Sequence, residues 1–442
     1  MVKLNIAIIF LLIQSICFCI YPYSFGFNDN QKIRVDSIVI TGNSVTQDKI
    51  ILRELTFKVG DYVNMEDLQY NRERIYSLGL FNNVTIIPVL KDENTNIAIT
   101  VEESWYIWPI PILDLRDSEL RKLTLGINLL YKNFRGMNET VSSIFAFGYD
   151  PFFNLSYYNP WLIREDNISL SLGISYNKIH NISPMAEYFY GSDFTYKHIS
   201  GYINTGKRFN IYNELYFLLG YDYVEQPLLI KKIPTASNGR VDRMIKSGID
   251  YIFDSRNLKQ FADSGFYANL NYTHRGFGLN NINFSSFDMD LRYYLKVTHG
   301  LTMKLRNRNR FTFGGSVPFY DHSFLGYGER IRGHYNDIRE GNNLYVFSID
   351  MRYPIIKEWL FSIKLPLIPK ELTTYRIGIY ADAFGNTGAT QFNNKTLGVN
   401  DFYSGYGAGL LFAVLPYNIA SVFYAMNEYE KGEIIFELGF TF

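Results

Sequence analysis

Beyond Glu103 the chain alternates apolar and polar positions in short runs, the period-two pattern of strands that present one face to each of two environments. Residues 287–297 show it most clearly: Phe287, Met289, Leu291, Tyr293 and Leu295 fall on one face, and Asp288, Asp290, Arg292, Tyr294 and Lys296 on the other. Residues 375–383 repeat it. About sixteen such strands can be placed up to the last residue, an even number as bacterial single-chain barrels have. A soluble sandwich would turn its polar face outward. Here the charged face suits a lumen, and Trp105, Trp108, Trp161 and many Tyr at strand ends suit membrane interfaces. Connections alternate between short and long along much of the chain, the long ones being roughly residues 177–193, 224–241, 316–341 and 383–401. The expectation is a membrane all-β protein, a 16-stranded antiparallel transmembrane β-barrel over residues 105–442.

Before Glu103 the period changes twice. Residues 34–40 alternate like a strand, 46–55 read as a helix, and 65–78 carry Leu68, Ile75 and Leu78 at helical spacing with Gly79 as cap. Residues 84–90 and 97–101 read as a hairpin across the polar turn Lys91-Asp92-Glu93-Asn94. This is a compact α/β module over residues 31–104. At the N-terminus, Lys3 precedes an apolar run from about Ile6 to Ile20, the layout of a signal peptide, assigned to residues 1–26. The run is shorter than the roughly 20 residues a spanning helix needs. Both cysteines, Cys17 and Cys19, fall inside it, so the exported chain is expected to carry no thiol or disulfide.

Composition adds little to the pattern but agrees with it: Tyr (36) and Phe (35) are abundant, and net charge is +0, which gives no argument for nucleic acid or for an acidic partner, and no nucleic acid is expected. The six histidines show no metal-ligand spacing, Gly405-Tyr406-Gly407-Ala408-Gly409 lacks the βαβ context of a nucleotide-binding turn, and no Ser/His/Asp constellation is evident. No cofactor and no enzymatic chemistry are expected. Lys304, Arg306, Arg308 and Arg310 form a basic face, expected to pair with lumen carboxylates such as Asp288 and Asp350.

Ile38-Thr41-Gly42-Asn43, Gly60-Asp61 and Leu78-Gly79-Leu80-Phe81-Asn82-Asn83-Val84 resemble, in this order, a polypeptide-transport-associated (POTRA) domain. In that family an exposed strand edge pairs with an incoming chain or an accessory protein. Within the loop after strand eleven, Phe324-Leu325-Gly326-Tyr327-Gly328-Glu329-Arg330-Ile331-Arg332-Gly333-His334 resembles the Val-Arg-Gly-Tyr/Phe signature of the BamA-type outer-membrane assembly superfamily, with Ile331 and His334 at the ends of the tetrapeptide. The resemblance implies that Arg332 folds into the lumen and bonds Asp382 of strand thirteen. Asp254-Ser255-Arg256 leading to Gly265 matches the family's turn after strand eight, and Phe436, Gly439, Phe440 and terminal Phe442 match a sorting signal in the last strand. It further implies a weak seam between strand one, with Trp105, Pro109 and Pro111, and strand sixteen, where Gly439 loosens the pairing.

The function so implied is assembly or insertion of other outer-membrane proteins, with a secretion pore for one dedicated partner as the alternative. Implied partners are unfolded outer-membrane or secreted proteins, outer-membrane lipids, and periplasmic chaperones or accessory lipoproteins. The implied location is the bacterial outer membrane, with the N-terminal domain in the periplasm.

Overall fold

The computed structural model describes residues 32–91, 94–116, 119–191, 194–227, 235–298, 300–366 and 368–440. The expected leader (residues 1–26) and Phe442 lie outside the described residues.

The N-terminal domain runs β1 (Ile33–Arg34), β2 (Ser37–Thr41), α1 (Asp48–Leu52), β3 (Tyr62–Val63), α2 (Met65–Tyr76), β4 (Phe81–Lys91) and β5 (Asn94–Glu103). Its three-stranded sheet has the order β2-β5-β4, with β2 parallel and β4 antiparallel to β5. Helix α2 starts where Asn64 and Asp67 exchange side-chain to backbone hydrogen bonds of 2.8 and 2.9 Å, a capping box. The helix buries Leu68, Ile75 and Tyr76 against Phe81, Ile97 and Ile99. Helix α1 is shorter than the periodicity predicts. Its expected start is drawn away because the Thr46 amide and hydroxyl both donate to Glu103 Oε1, each at 2.6 Å.

Sixteen strands then form one antiparallel meander sheet, each paired with its sequence neighbour, from strand one (Ile107–Leu115) to strand sixteen (Gly432–Phe440). No helix among the described residues is long and apolar enough to cross a membrane. The faces separate as the alternation predicts: in strand ten (Phe284–Lys296), Tyr293 is 45% and Leu295 39% exposed, while Asp290 and Tyr294 are buried. The basic face of strand eleven (Thr302–Gly314) is neutralised inside, with Lys304 at 3.4 Å from Asp350 and Arg306 at 3.1 Å from Asp290. Strand thirteen (Thr374–Gln391) runs eight residues beyond the expected 383, taking in residues read as the start of a long connection, because strand twelve pairs with it as far as Asn343 opposite Gln391.

The N-terminal domain covers one end of the barrel, here the near end. Buried ion pairs hold it: Arg208, at the end of strand six (Thr195–Arg208), grips Glu54 with two bonds of 2.6 and 2.9 Å, and Arg74 of the domain's own α2 steadies Glu54 at 2.8 Å. On the other side Arg376 of strand thirteen meets Glu73 of α2 at 2.7 Å. Between them, the Gly79 carbonyl accepts from Lys132 Nζ, and Asn82 bridges the Glu371 carbonyl and the Tyr417 hydroxyl.

Candidate functional site: a loop folded into the barrel

The connection between strands eleven and twelve (Asn343–Ser362) leaves the far end and turns back inside. Its short hairpin, Ser323–Leu325 with Arg339–Gly341, forms the stalk. At the tip, Ile331 is 1% exposed and joins Leu325, Leu344 and Val346 in a small apolar cluster that fixes the tip to the wall.

Arg332 reaches the centre. Its guanidinium lies 3.6 Å from the ring centroid of Phe384 and 5.1 Å from that of Phe423, and its Nη2 donates to Asp350 Oδ1 at 2.6 Å. The acceptor is therefore Asp350 on strand twelve, not the expected Asp382, and one nitrogen makes the bond. Register explains the difference. Phe384, on which Arg332 stacks, lies directly opposite Asp350, whereas Asp382 is opposite Arg352, one rung nearer the soluble domain. Asp382 is buried in the same cavity, and its Oδ1 has no hydrogen-bond partner among the described residues.

The rest of the motif binds the seam side of the wall. Gly333 N donates to Glu433 Oε1 of strand sixteen at 2.7 Å, and the Tyr335 amide shares that acceptor at 3.1 Å. His334 stacks on Tyr403 at 4.1 Å, with Nδ1 and Nε2 each 2.7 Å from carboxylate oxygens of Asp337 and Glu428. Glu329 returns to strand eleven, 2.8 Å from Arg306. The loop thus spans the lumen from strand eleven to strand sixteen. Glu433 and Glu428 escaped the sequence reading, although Glu433 shares the inward parity of Glu437 in the last strand.

The glycines of strand fourteen (Tyr403–Leu415) now have a use. A Cβ on Gly405 would stand 1.6 Å from the Arg332 carbonyl oxygen. Gly405→Ala is therefore expected to displace the loop tip at a cost of about 1–3 kcal/mol. Added protease should then cut near Arg330 about ten-fold faster or more, while the barrel keeps its heat-modifiable mobility on gels.

The turn after strand eight (Val241–Asp254) folds under the same cavity. Arg256 makes two bonds to Asp254, of 2.8 and 2.9 Å, and lies 4.5 Å from the centroid of Tyr267. Ser255 bonds Phe266. Gly265, at φ 107°, lets the two arms touch, since a Cβ there would lie 2.4 Å from the Ser255 carbonyl oxygen. The turn's Phe261 packs on Tyr380 at 4.6 Å, and Arg352 donates to the Ala262 carbonyl. Above it remains a cavity of about 500 Å³, lined by Arg292, Arg306, Arg332, Asp350 and Asp382 among others.

At the seam, strands one and sixteen are the two edges of the sheet, with no backbone pairing between them among the described residues. Pro109 and Pro111 sit in strand one opposite Leu129 and Ile127 of strand two, and Gly439 sits opposite Ile419. Trp105 Nε1 donates to the Ile107 carbonyl at the start of strand one. Phe436 is 73% exposed on the outer face, and Phe440 ends the described strand.

A sixteen-stranded barrel with one POTRA domain at its mouth and an inward Arg-Gly loop defines a class of outer-membrane protein. Residues 133–442 match the Omp85 superfamily domain, and residues 33–104 match POTRA, the surface antigen variable number repeat. The chain belongs to the Omp85 superfamily. Barrels of that family sit in the bacterial outer membrane with POTRA domains in the periplasm, and they handle protein substrates. Among solved structures, BamA from Haemophilus ducreyi lacking POTRA domains 1–3 has a TM-score of 0.54 at 17% identity, covering 99% of this chain and 93% of that one. CdiB from Escherichia coli has a TM-score of 0.50 at 11% identity, covering 95% and 92%. At these identities the likeness is one of fold. No curated protein sequence matches the chain.

Proposed function

We propose that the chain assembles or inserts other barrel proteins in the bacterial outer membrane, with its POTRA domain in the periplasm and the seam between strands one and sixteen as the place where substrate strands engage. The observation that carries this reading is the unpaired seam: strands one and sixteen are the two edges of the sheet, with no ladder between them among the described residues, and free edges are templates for further strands. Pro109 and Pro111, which have no N–H to donate, and Gly439, which has no side chain to pack, keep the cost of separating these edges low. The POTRA edge strand β2, with Val39 46% exposed, suits an unfolded client, a periplasmic chaperone or an accessory lipoprotein. Arg332 and its loop are assigned a controlling role, not a chemical one.

A secretion pore for one dedicated partner needs an open lumen. The loop crossing it and the domain over its mouth favour the lateral route. Depletion of the protein, with separate measurement of the outer-membrane proteome and the medium, decides between them. A broad fall in barrel proteins is the expected result; loss of a single secreted protein with the membrane proteome intact would replace this reading with the pore.

A further inference from the structure

Strands twelve and thirteen overrun the near end of the barrel. Pairing of strand twelve with strand eleven stops at Arg352 opposite Thr302, yet strand twelve continues to Ser362 and strand thirteen starts only at Thr374. Other near-end connections, such as 135–138, 164–167 and 209–212, are short turns. The overrun displays Ile356, Trp359, Leu360, Ile363, Leu365 and Ile368, each 42–49% exposed. A contiguous apolar surface of this kind marks an interaction site.

Three features identify what covers it. The surface continues the outward band of the same strand, where Phe347, Met351 and Tyr353 are exposed on the lipid-facing side of the barrel. Lys357 and Lys364 stand exposed among the apolar residues, a combination of Trp, aliphatic side chains and ammonium groups that suits a negatively charged bilayer interface. Strand twelve is poorly suited to strand addition on its open edge: it carries Pro354 and Lys357, and its ladder with strand thirteen shifts register between Pro354 and Ile356 and again between Ile356 and Trp359, which bends the strand. That argues against an extended peptide as the partner.

We propose that this hairpin is a membrane-surface anchor, seating Trp359 and its aliphatic neighbours in the interface of the leaflet on the POTRA side and holding anionic glycerophospholipid headgroups on Lys357 and Lys364. Its base is fixed to the POTRA domain: Lys370 lies 2.8 Å from Glu102, Asn82 Nδ2 donates to the Glu371 carbonyl at 2.6 Å, and Arg376 bridges Glu73 and Glu358. The anchor therefore sets the height of the POTRA domain against the bilayer. It rests on the transmembrane barrel and not on the assembly role.

The test uses the full chain with Cys17→Ser and Cys19→Ser, reconstituted in phosphatidylcholine vesicles with and without phosphatidylglycerol. A polarity-sensitive dye is placed on Leu365→Cys, on Phe347→Cys as a report of barrel insertion, and on Val399→Cys, 86% exposed in a far-end loop, as a report of water. The expected result is blue-shifted emission at Leu365, quenched by shallow spin-labelled lipid. That quenching should fall several-fold without phosphatidylglycerol or with Lys357→Gln and Lys364→Gln together. If the Leu365 dye matches the Val399 dye while the Phe347 dye sits in lipid, the anchor is overturned and the barrel stands. Insertion that ignores the headgroup and both lysines overturns the headgroup assignment, and a Phe347 dye in water overturns the barrel and the anchor together.

Discussion

Arg332→Ala should abolish most of the protein's ability to support its clients while leaving the barrel folded. The substitution removes the one guanidinium that stacks on Phe384 and bonds Asp350, and leaves that carboxylate buried with Lys304 at 3.4 Å as its remaining ion-pair partner besides the surrounding arginines. Breaking a buried pair in this way costs roughly 3–5 kcal/mol, and retention of Lys304 places the cost at the lower end, about 3 kcal/mol. That is about a hundred-fold fall in the docked population of the loop. External protease digestion reads the loop, and complementation of a depleted strain reads function. The same measurement separates the two acids: Asp350→Asn should approach the effect of Arg332→Ala, whereas Asp382→Asn should be mild because Arg332 does not bond it. Equal effects of the two substitutions would contradict the observed geometry.

The second large effect concerns the POTRA domain. Burial alone would raise the Glu54 carboxyl, but the hydrogen bonds and charge of Arg208, followed by the charge of Arg74, overcome it and hold the group at about 2, below its ordinary 4.5. A carboxyl depressed on docking stabilises the docked state fully above its ordinary value and loses that contribution as pH falls from 4.5 through 2. Arg74 belongs to the same domain and stays beside Glu54 on release, so only the part of the depression due to Arg208 contributes to docking. Docking, followed by the distance between spin labels on α2 and on strand nine (Gly265–Arg275), should be constant from neutral pH down to 5 and should loosen below 4. Arg208→Ala removes the largest favourable contribution, so release should then occur at higher pH and the labels should separate even near neutrality. A distance unchanged by Arg208→Ala would show that the Arg376–Glu73 pair and the contacts of Gly79 and Asn82 hold the domain without Arg208.

The sequence is a good guide where local periodicity decides. Sixteen strands follow from alternation and α2 from helical spacing and its Gly79 stop, while the inward loop is implied by the resemblance of the segment around Arg332 to the family signature. It is a poor guide where two distant segments choose each other. Asp350 and Asp382 are both inward acids on neighbouring strands, and only the register that puts Phe384 opposite Asp350 selects between them. The Glu54–Arg208 grip joins residues 154 positions apart and carries no local signature. The far end of strand thirteen is misread for a related reason: residues 383–401 read as a long connection, while Gly388 lies inside the strand, where a Cβ would crowd Ile331 of the loop at 2.9 Å.

The loop's two attachments have a mechanical meaning. Glu329 is fastened to strand eleven and Gly333 to strand sixteen, so the last strand is tied across the lumen to the opposite wall. Strand one has a different allegiance, because it continues directly from β5 of the POTRA domain and Tyr106 bonds back to Thr46. The two edges of the seam are thus held differently, strand one by the POTRA domain it continues from and strand sixteen by the loop, while Arg208 and Arg376 tie that same domain to strands six and thirteen. On the proposed lateral route, a pull on the POTRA domain is passed directly to strand one, the edge that the loop does not fasten.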